Sequence, residues 1–384
     1  MKVLFLCRHF PPAPTGGARR PYFLAKALQD AGCEIKIIAP DAHPDFLSQS
    51  VPHAHRDPVL TSGGKPKQYC RSFLRSLLLW PDPDISWAKA CVRLALSSGD
   101  DFLPDVIITT SPPESLHYAG YKLKQAYGAV WVADFRDHWL DSPHRIERNT
   151  FFRKMGERIY AKHILRKADI ILSVNNDILE ECTRFAPKVA QYEFPHFSPP
   201  PVSEKILPDP FIHIVYTGGF SLSERHRAPS ILLAPFEQAL RTNPQLFLHI
   251  AGRFLDEEIK EIKKSPAIKN ICIYDYLTLE DAHALQYGAD ALALMGTLQT
   301  YAPGGKMSEY QAVSARTGAP IIAFGEGPWR TVAKLDTQNT HETLVRLKKR
   351  NMVKRQASSI YDAQAAAEAF LKILEQEQGL SLKP

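Results

Sequence analysis

A lysine and a glutamate, Lys306 and Glu309, stand three residues apart behind a glycine pair, Gly304 and Gly305. The glycines break any preceding element, and an apolar stripe predicts a helix over residues 307–316. The start of a helix favours anions, and a lysine adds a point charge for phosphate. The carboxylate is suited to accept hydrogen bonds from ribose hydroxyls. An ordinary α/β helix with Glu309 near its dipole explains the same pattern, so both interpretations stay open here.

A second charged cluster follows the predicted strand 129–134. Asp134 ends this strand, and Arg136, Asp137 and His138 come directly after it. The carboxyl ends of strands are where open α/β sheets bind ligands. The structural alternative is a salt-bridged turn with Arg136 between the two aspartates. We favour the functional interpretation, because a charge cluster beside an apolar strand is unusual for a purely structural turn.

Each half of the chain opens with a strand, a glycine pair and a helix. The first half has a strand at 2–7 and a helix at 18–31, and the second has a strand at 211–217 and a helix at 229–241. This order is typical of nucleotide-binding α/β folds. The GxGxxG fingerprint is absent, so a dinucleotide cofactor is not indicated. The glycines, with two arginines of the second loop, are Gly16, Gly17, Gly218, Gly219, Arg225 and Arg227.

The chain is 384 residues long, which exceeds what one hydrophobic core usually supports. Six prolines between 195 and 210 mark a linker. We therefore predict a first domain over 1–195, a linker over 196–210, a second domain over 211–357 and a closing helical segment over 358–384. Strands and helices alternate in both halves. The predicted class is α/β, with two Rossmann-like βαβ domains that face each other across a cleft.

Composition and charge narrow the functional classes. The net charge of +6 and pI of about 8.9 are mild for a nucleic-acid-binding protein, so we expect no nucleic-acid partner. Such a charge suits an anionic substrate or a membrane surface. Residues 65–80 are basic and then apolar. They fit either an amphipathic helix on the core or a helix lying on an anionic membrane.

The location is predicted from three further features of the sequence. The six cysteines show no metal-ligand spacing and suit a reducing compartment. We find no signal peptide pattern, and no apolar run approaches the roughly 20 residues of a membrane span. We expect a cytoplasmic protein, with peripheral association at the inner face of the membrane as a second hypothesis.

Taken in order, these motifs resemble the retaining family-4 glycosyltransferases of GT-B fold, in a branch of bacterial polysaccharide biosynthesis. The resemblance rests on HFPPAPTGGARR, TSPPES and VADFRDHW in the first half, and on YTGGF, LHIAGR and the segment ending in GAPIIAF in the second. It covers nearly the whole chain. It implies two GT-B domains, with the closing helix packed back on the first domain.

The resemblance also implies roles for individual residues. Lys306 and Arg225, or Arg227 in its place, would contact the donor diphosphate, and Glu309 would bind the ribose. The motif's first glutamate is replaced by Tyr301, and Arg136 stands where the family often has a histidine. The implied catalytic residues are Lys306, Arg225, Asp134, Arg136 and Asp137. The implied substrate-binding residues are Gly16, Gly17, Gly218, Gly219, Arg227, Tyr301, Gly304, Gly305 and Glu309.

The implied reaction is transfer of a sugar, with retention, from a nucleotide-diphosphate sugar to a glycan or polyprenol-linked acceptor. No cofactor is expected beyond the donor, and no metal, because basic groups replace it. Two alternatives remain open: a nucleotide-sugar epimerase-like enzyme, and a non-catalytic nucleotide- or glycan-binding protein of the same fold. Tyr301 favours the last of these, because a family carboxylate is missing there.

Overall fold

A computed structural model describes most of the chain, in two compact units. The described residues are 1–13, 16–53, 80–97, 102–141, 151–198, 202–222, 226–274, 277–296, 304–327, 329–332, 339–350 and 362–382. The first unit comprises Met1–Pro195 and Ala366–Pro384, and the second comprises His196–Ala365.

The first unit is built on a seven-stranded parallel sheet in the order β3-β2-β1-β4-β5-β6-β7. Its strands are short apolar runs with mostly buried side chains, as expected for a parallel sheet covered by helices. The elements in chain order are β1 (Lys2–Cys7), α1 (Arg19–Asp30), β2 (Glu34–Ala39), β3 (Leu47–Ser50), α2 (Ile85–Ser97), β4 (Val106–Ser111), α3 (Ser115–Tyr127), β5 (Val130–Phe135), α4 (Phe151–Leu165), β6 (Ile170–Ser173), α5 (Asn176–Phe185) and β7 (Ala190–Glu193).

The second unit contains a five-stranded parallel sheet in the order β10-β9-β8-β11-β12. Its elements are β8 (Ile212–Thr217), α6 (Pro229–Leu240), β9 (Leu246–Ala251), α7 (Asp256–Lys263), β10 (Ile271–Tyr274), α8 (Leu279–Tyr287), β11 (Ala291–Met295), α9 (Gly304–Thr317), β12 (Ile321–Phe324), α10 (Trp329–Val332) and α11 (Thr340–Arg346). A last helix, α12 (Ala363–Gln378), begins in this unit and belongs to the first unit from Ala366 onward.

The strand order reverses once in each sheet, and the reversal is the place where open α/β sheets bind ligands. The reversal lies between β1 and β4 in the first unit and between β8 and β11 in the second. Loops that leave two such strands diverge, which opens a crevice at the carboxyl edge of the sheet. The predicted α/β class with two Rossmann-like units is confirmed.

The closing helix packs within the first unit. Phe370 of α12 is fully buried, and its ring centroid lies 6.4 Å from that of Phe194. The Tyr192 hydroxyl also donates a hydrogen bond to the Glu377 carboxylate. Residues 196–210, predicted to be a linker, belong to the second unit, where the Lys205 amide donates to the carbonyl of Ala284 at 2.8 Å.

Several predicted boundaries were wrong. Two edge strands were not predicted from the sequence: β3, which pairs with β2, and β7, which pairs with β6. The helix expected to begin at Met307 begins at Gly304, so the glycine pair lies inside its first turn. Residues 65–79 of the predicted amphipathic helix lie outside the described residues.

Candidate functional site

The predicted pair Lys306 and Glu309 forms an ion pair in the first turn of α9. The Lys306 Nζ lies 3.0 Å from each carboxylate oxygen of Glu309 and donates to the Thr217 Oγ1 at 3.1 Å. The Lys306 side chain is 27% exposed, whereas that of Glu309 is only 4% exposed. The lysine is therefore accessible to a ligand, and the carboxylate is held behind it.

Helix α8 supplies two further contacts to Glu309. Gln286 Nε2 donates to Glu309 Oε1 at 2.6 Å and to Thr217 Oγ1 at 2.8 Å. The Gln286 side chain is fully buried. His283 Nε2 lies 3.1 Å from the same carboxylate oxygen. The Gln286 amide therefore holds Glu309 in one orientation and ties α8 and α9 to Thr217 at the end of β8.

Tyr310 anchors α9 to the same strand end. Its hydroxyl accepts a hydrogen bond from the Thr217 amide at 2.9 Å and lies 3.1 Å from the Thr217 Oγ1. Burial raises the pKa of Tyr310, so the phenol stays neutral. The Lys306 ammonium lies 5.6 Å from the centre of its ring. The position of the lysine is therefore set by the packing of α9 against β8.

A cavity of about 110 Å³ lies beside this cluster, at the reversal between β8 and β11. It is large enough for a small anionic group. Two cationic side chains line it, one from α9 and one from the loop after β8. The lining residues are Tyr216, Thr217, Gly218, Arg227, Ala293, Leu294, Met295 and Lys306. The crevice at this strand reversal therefore carries positive charge.

Not every predicted residue of the second unit falls in the described part. Arg225 and Tyr301 lie outside the described residues, so of the two predicted arginines the structure places Arg227 at the cavity. The Gly219 carbonyl accepts a hydrogen bond from the Tyr216 hydroxyl at 2.7 Å. Gly304 and Gly305 form the start of α9, where the first amides have no helical acceptor.

In the first unit, Asp134 is bound by Arg20 of α1. The Arg20 Nη2 lies 2.7 Å from one carboxylate oxygen, and Thr110 Oγ1 donates to the other at 2.9 Å. Burial opposes ionisation of Asp134, but the Arg20 charge and these hydrogen bonds outweigh it and lower its pKa. Arg20 also donates to the carbonyls of Phe194 and Pro195, each at 2.7 Å. This ion pair joins α1, β5 and the segment after β7.

The Arg136 guanidinium contacts main-chain carbonyls. It donates to Gly17 at 2.5 Å, to Ser111 at 2.8 Å and to Pro112 at 3.2 Å. A Cβ at Gly17 would lie 2.4 Å from the Arg136 Nη1, whereas one at Gly16 would meet no atom within 4 Å. Arg136 therefore holds the glycine turn after β1 against the turn after β4. A Cβ at position 17 would displace the guanidinium, so glycine there allows Arg136 to approach the Gly17 carbonyl.

The remaining residues of the β5 cluster behave differently. Asp137 is exposed, whereas the His138 Nδ1 lies 2.9 Å from an oxygen of the buried Glu181. That hydrogen bond raises the pKa of His138. The Glu181 carboxylate also accepts the amides of the next three residues, Trp139, Leu140 and Asp141, at 3.0, 2.7 and 3.2 Å. A carboxylate from α5 thus fixes the turn that follows β5.

Sequence reasoning missed the residues that hold the predicted ones in place. Gln286 and His283 stand three residues apart on α8, as residues of one helix face do, but their partner is on another helix. Arg20 follows the first glycine pair, and Glu181 lies 40 or more residues from the amides that it accepts. The one signal in the sequence that could have indicated these residues is a polar side chain on an otherwise apolar helix face.

The described residues contain no group of three or more His, Cys, Asp or Glu side chains arranged to hold a metal ion. Among the helices described, none combines the length and the hydrophobicity that crossing a membrane requires.

Residues 15–194 match the family model of the glycosyl transferase 4-like domain. This match supports a GT-B glycosyltransferase. It covers much of the first unit, including Gly16, Gly17, Asp134 and Arg136. A sequence comparison with curated proteins finds no match.

Solved structures share the fold of the whole chain at low sequence identity. A sucrose-phosphate synthase from Thermosynechococcus elongatus is 13% identical, with a TM-score of 0.61 and 98% of each chain covered. A UDP-GlcNAc 2-epimerase from Neisseria meningitidis, bound to UDP-GlcNAc, is 12% identical, with a TM-score of 0.56, 98% of this chain and 100% of that chain covered. WaaG, a glycosyltransferase of lipopolysaccharide biosynthesis, is 11% identical, with a TM-score of 0.52 and coverage of 90% and 89%. Both units therefore have the fold of GT-B glycosyltransferases.

Proposed function

We propose that the protein transfers a sugar, with retention, from a nucleotide-diphosphate sugar to a glycan or polyprenol-linked glycan. The observation that carries this proposal is the cavity of about 110 Å³ between Lys306 and Arg227, beside the buried carboxylate of Glu309. Two cations at a strand reversal suit a diphosphate, and a carboxylate three residues further along α9 suits ribose hydroxyls.

The donor diphosphate would exchange partners with Glu309. In the described structure the Lys306 ammonium contacts the Glu309 carboxylate. A bound diphosphate would take over the lysine, and Glu309 would then accept hydrogen bonds from the ribose while Gln286 keeps it in place. The exchange is chemically reasonable because both partners of the lysine are anionic oxygens.

The chemical step needs positive charge where the leaving group develops negative charge. The bond between the anomeric carbon and the diphosphate oxygen breaks, and a bond from the acceptor hydroxyl oxygen forms on the same face. The hydroxyl proton passes to the departing diphosphate. Lys306, Arg227 and the amides at the start of α9 would stabilise that diphosphate, so we propose that no metal or other cofactor is needed.

The base and the acceptor are proposed from chemistry and from similar proteins. The epimerase of this fold was solved with UDP-GlcNAc bound, so uridine is the first base to test and a hexose the first sugar. We propose a glycan acceptor on the cytoplasmic side. If it is polyprenol-linked, the reaction takes place at the inner face of the membrane.

The test is release of nucleoside diphosphate from a panel of nucleotide sugars, with and without glycan acceptors. We expect release only with an acceptor, a product that keeps the anomeric configuration of the donor by NMR, and loss of release in Lys306→Ala. Lys260→Ala is the matched control, because Lys260 is an exposed helical lysine of the same unit. Normal turnover by Lys306→Ala would refute the assignment of the diphosphate site.

A nucleotide-sugar epimerase is the second candidate, since the epimerase from Neisseria meningitidis has this fold with a TM-score of 0.56. It would convert the donor sugar without any acceptor, so the acceptor-free reactions decide between the two. A non-catalytic binding protein, the hypothesis that Tyr301 favours, would bind the diphosphate and yield neither product.

A further inference from the structure

Helix α4 exposes two large apolar side chains to solvent. Met155 is 48% exposed and Ile159 is 63% exposed, and they stand one helical turn apart on the same face. Single exposed apolar residues are common on protein surfaces. A pair on one helix face is less usual and indicates a partner that takes up apolar side chains.

The segment that contains α4 carries an excess of positive charge. Residues 151–167 contain six Lys and Arg and a single acidic residue, Glu157. Glu157 is fully buried and already accepts from the Arg153 Nε at 2.8 Å. The other five cations have no acidic residue on this segment to pair with. They are Lys154, Arg158, Lys162, Arg166 and Lys167.

A cavity of about 190 Å³ opens between α4 and α5 beside these cations. Its lining residues are Leu140, Asp141, Arg158, Lys162, Arg184 and Phe185. The Asp141 carboxylate is neutralised by the Arg184 Nη2 at 2.5 Å. Arg158 and Lys162 form no ion pair with any residue of the described part. The cavity therefore has two cations available for an external anion.

We propose that α4 is a docking surface for a bilayer that contains anionic phospholipid. Met155 and Ile159 would enter the boundary between headgroups and acyl chains. Arg158 and Lys162 would contact lipid phosphates, one of which would occupy the cavity between α4 and α5. Long cationic side chains around an apolar pair are suited to this position, because their stems pack on apolar groups while their charges stay at the headgroups.

A bilayer explains the face better than a soluble polyanion does. A soluble phosphate or acidic glycan needs only the cations and gains nothing from the exposed Met155 and Ile159. A bilayer uses both features. The surface belongs to the first unit and the donor cavity to the second, so vesicle binding is measured without donor or acceptor and does not depend on the proposed transferase activity.

The first experiment is co-sedimentation of the full chain with vesicles of phosphatidylcholine, with and without phosphatidylglycerol, over a salt series. We expect binding that requires phosphatidylglycerol and weakens with salt. A cation near an anionic surface contributes about fivefold to partitioning, so Arg158→Gln with Lys162→Gln should weaken binding roughly 30-fold. Lys260→Gln with Lys264→Gln is the control, since it removes two exposed cations one turn apart at the carboxyl end of α7. Equal binding by both double variants, or no binding by the native protein at low salt, would overturn the proposal.

The second experiment separates the bilayer from a soluble polyanion. Ile159→Ser should weaken vesicle binding, whereas Leu96→Ser, which changes a 50% exposed leucine on α2, should not. Circular dichroism confirms that each variant is folded. If the charge variants lose binding but Ile159→Ser binds vesicles as the native protein does, the face recognises phosphate alone and the bilayer assignment is wrong.

Discussion

Replacing Lys306 by alanine separates the stability of the second unit from its chemistry. The lysine contacts the Glu309 carboxylate, whose side chain is only 4% exposed. Its removal takes a cation away from a buried carboxylate, which still accepts a hydrogen bond from Gln286. A hydrogen bond to a charged group contributes about 1.5–3 kcal/mol, so we expect the free energy of unfolding to fall by about that amount.

The effect of Lys306→Ala on transfer should be larger. A preorganised contact to charge that develops in the transition state is worth about 2.7–4 kcal/mol, or roughly 100- to 1,000-fold in kcat. Turnover is measured as release of nucleoside diphosphate at saturating donor, and stability as urea unfolding followed by circular dichroism. Both are measured on the same preparation.

A double variant, Lys306→Ala with Glu309→Gln, distinguishes the two roles. The glutamine removes the buried charge, so stability should recover most of the loss, while turnover stays at or below the level of Lys306→Ala. The coupling of the two changes in stability measures the ion pair itself. Recovery of turnover in the double variant would mean that the lysine serves only to neutralise Glu309, which would refute the diphosphate assignment.

Three further changes probe the fold around the two sites. Arg136→Lys leaves main-chain carbonyls without donors, so the free energy of unfolding in urea should fall by about 1–3 kcal/mol. Gly17→Ala should also lower it. The double variant should lose less than the sum of the two single losses, because both changes disrupt the same contact. Burial lowers the pKa of His249 to about 3, below the value of about 6.5 in an unfolded chain. The unfolded chain then binds the extra proton, so stability should fall as the pH drops from 6.5 towards 4, and His249→Gln should flatten this dependence. Phe370→Ala empties a buried site and should lower the free energy of unfolding by about 3–5 kcal/mol. Lys372→Ala, on the exposed face of α12, should leave it almost unchanged. Equal unfolding curves for the two variants would contradict the packing of α12.

The strands of both sheets could largely be predicted from the sequence, because buried parallel strands are continuous apolar runs. A strand was predicted at 2–7 and β1 is observed at Lys2–Cys7, and a strand was predicted at 211–217 and β8 is observed at Ile212–Thr217. Strand β3 was missed, since LSQS at a sheet edge has no such run and only the pairing with β2 makes it a strand. Local patterns do not contain that pairing.

The start of α9 shows why boundaries near a site are harder to predict. Gly304 and Gly305 lower helix propensity, so the sequence predicted a turn there. In the structure they form the first turn of the helix, which is fixed to β8 by the Tyr310 and Thr217 hydrogen bonds. Tertiary contacts therefore override local propensity at the position that brings Lys306 to the cavity.

The two predicted charge clusters differ in what their ion pairs can do. Arg20 and Asp134 are 2% and 4% exposed, and their hydrogen bonds go to one another and to neighbouring protein groups, so breaking the pair would leave a buried charge without compensation. Lys306 is 27% exposed and binds its carboxylate as a point charge, so an incoming phosphate oxygen can reach the lysine and replace that partner, while ribose hydroxyls would take the place of the lysine at Glu309. The sequence presents both as a cation near a carboxylate. Burial decides that the first pair holds the fold together and that the second is the one suited to exchange its partner for a ligand.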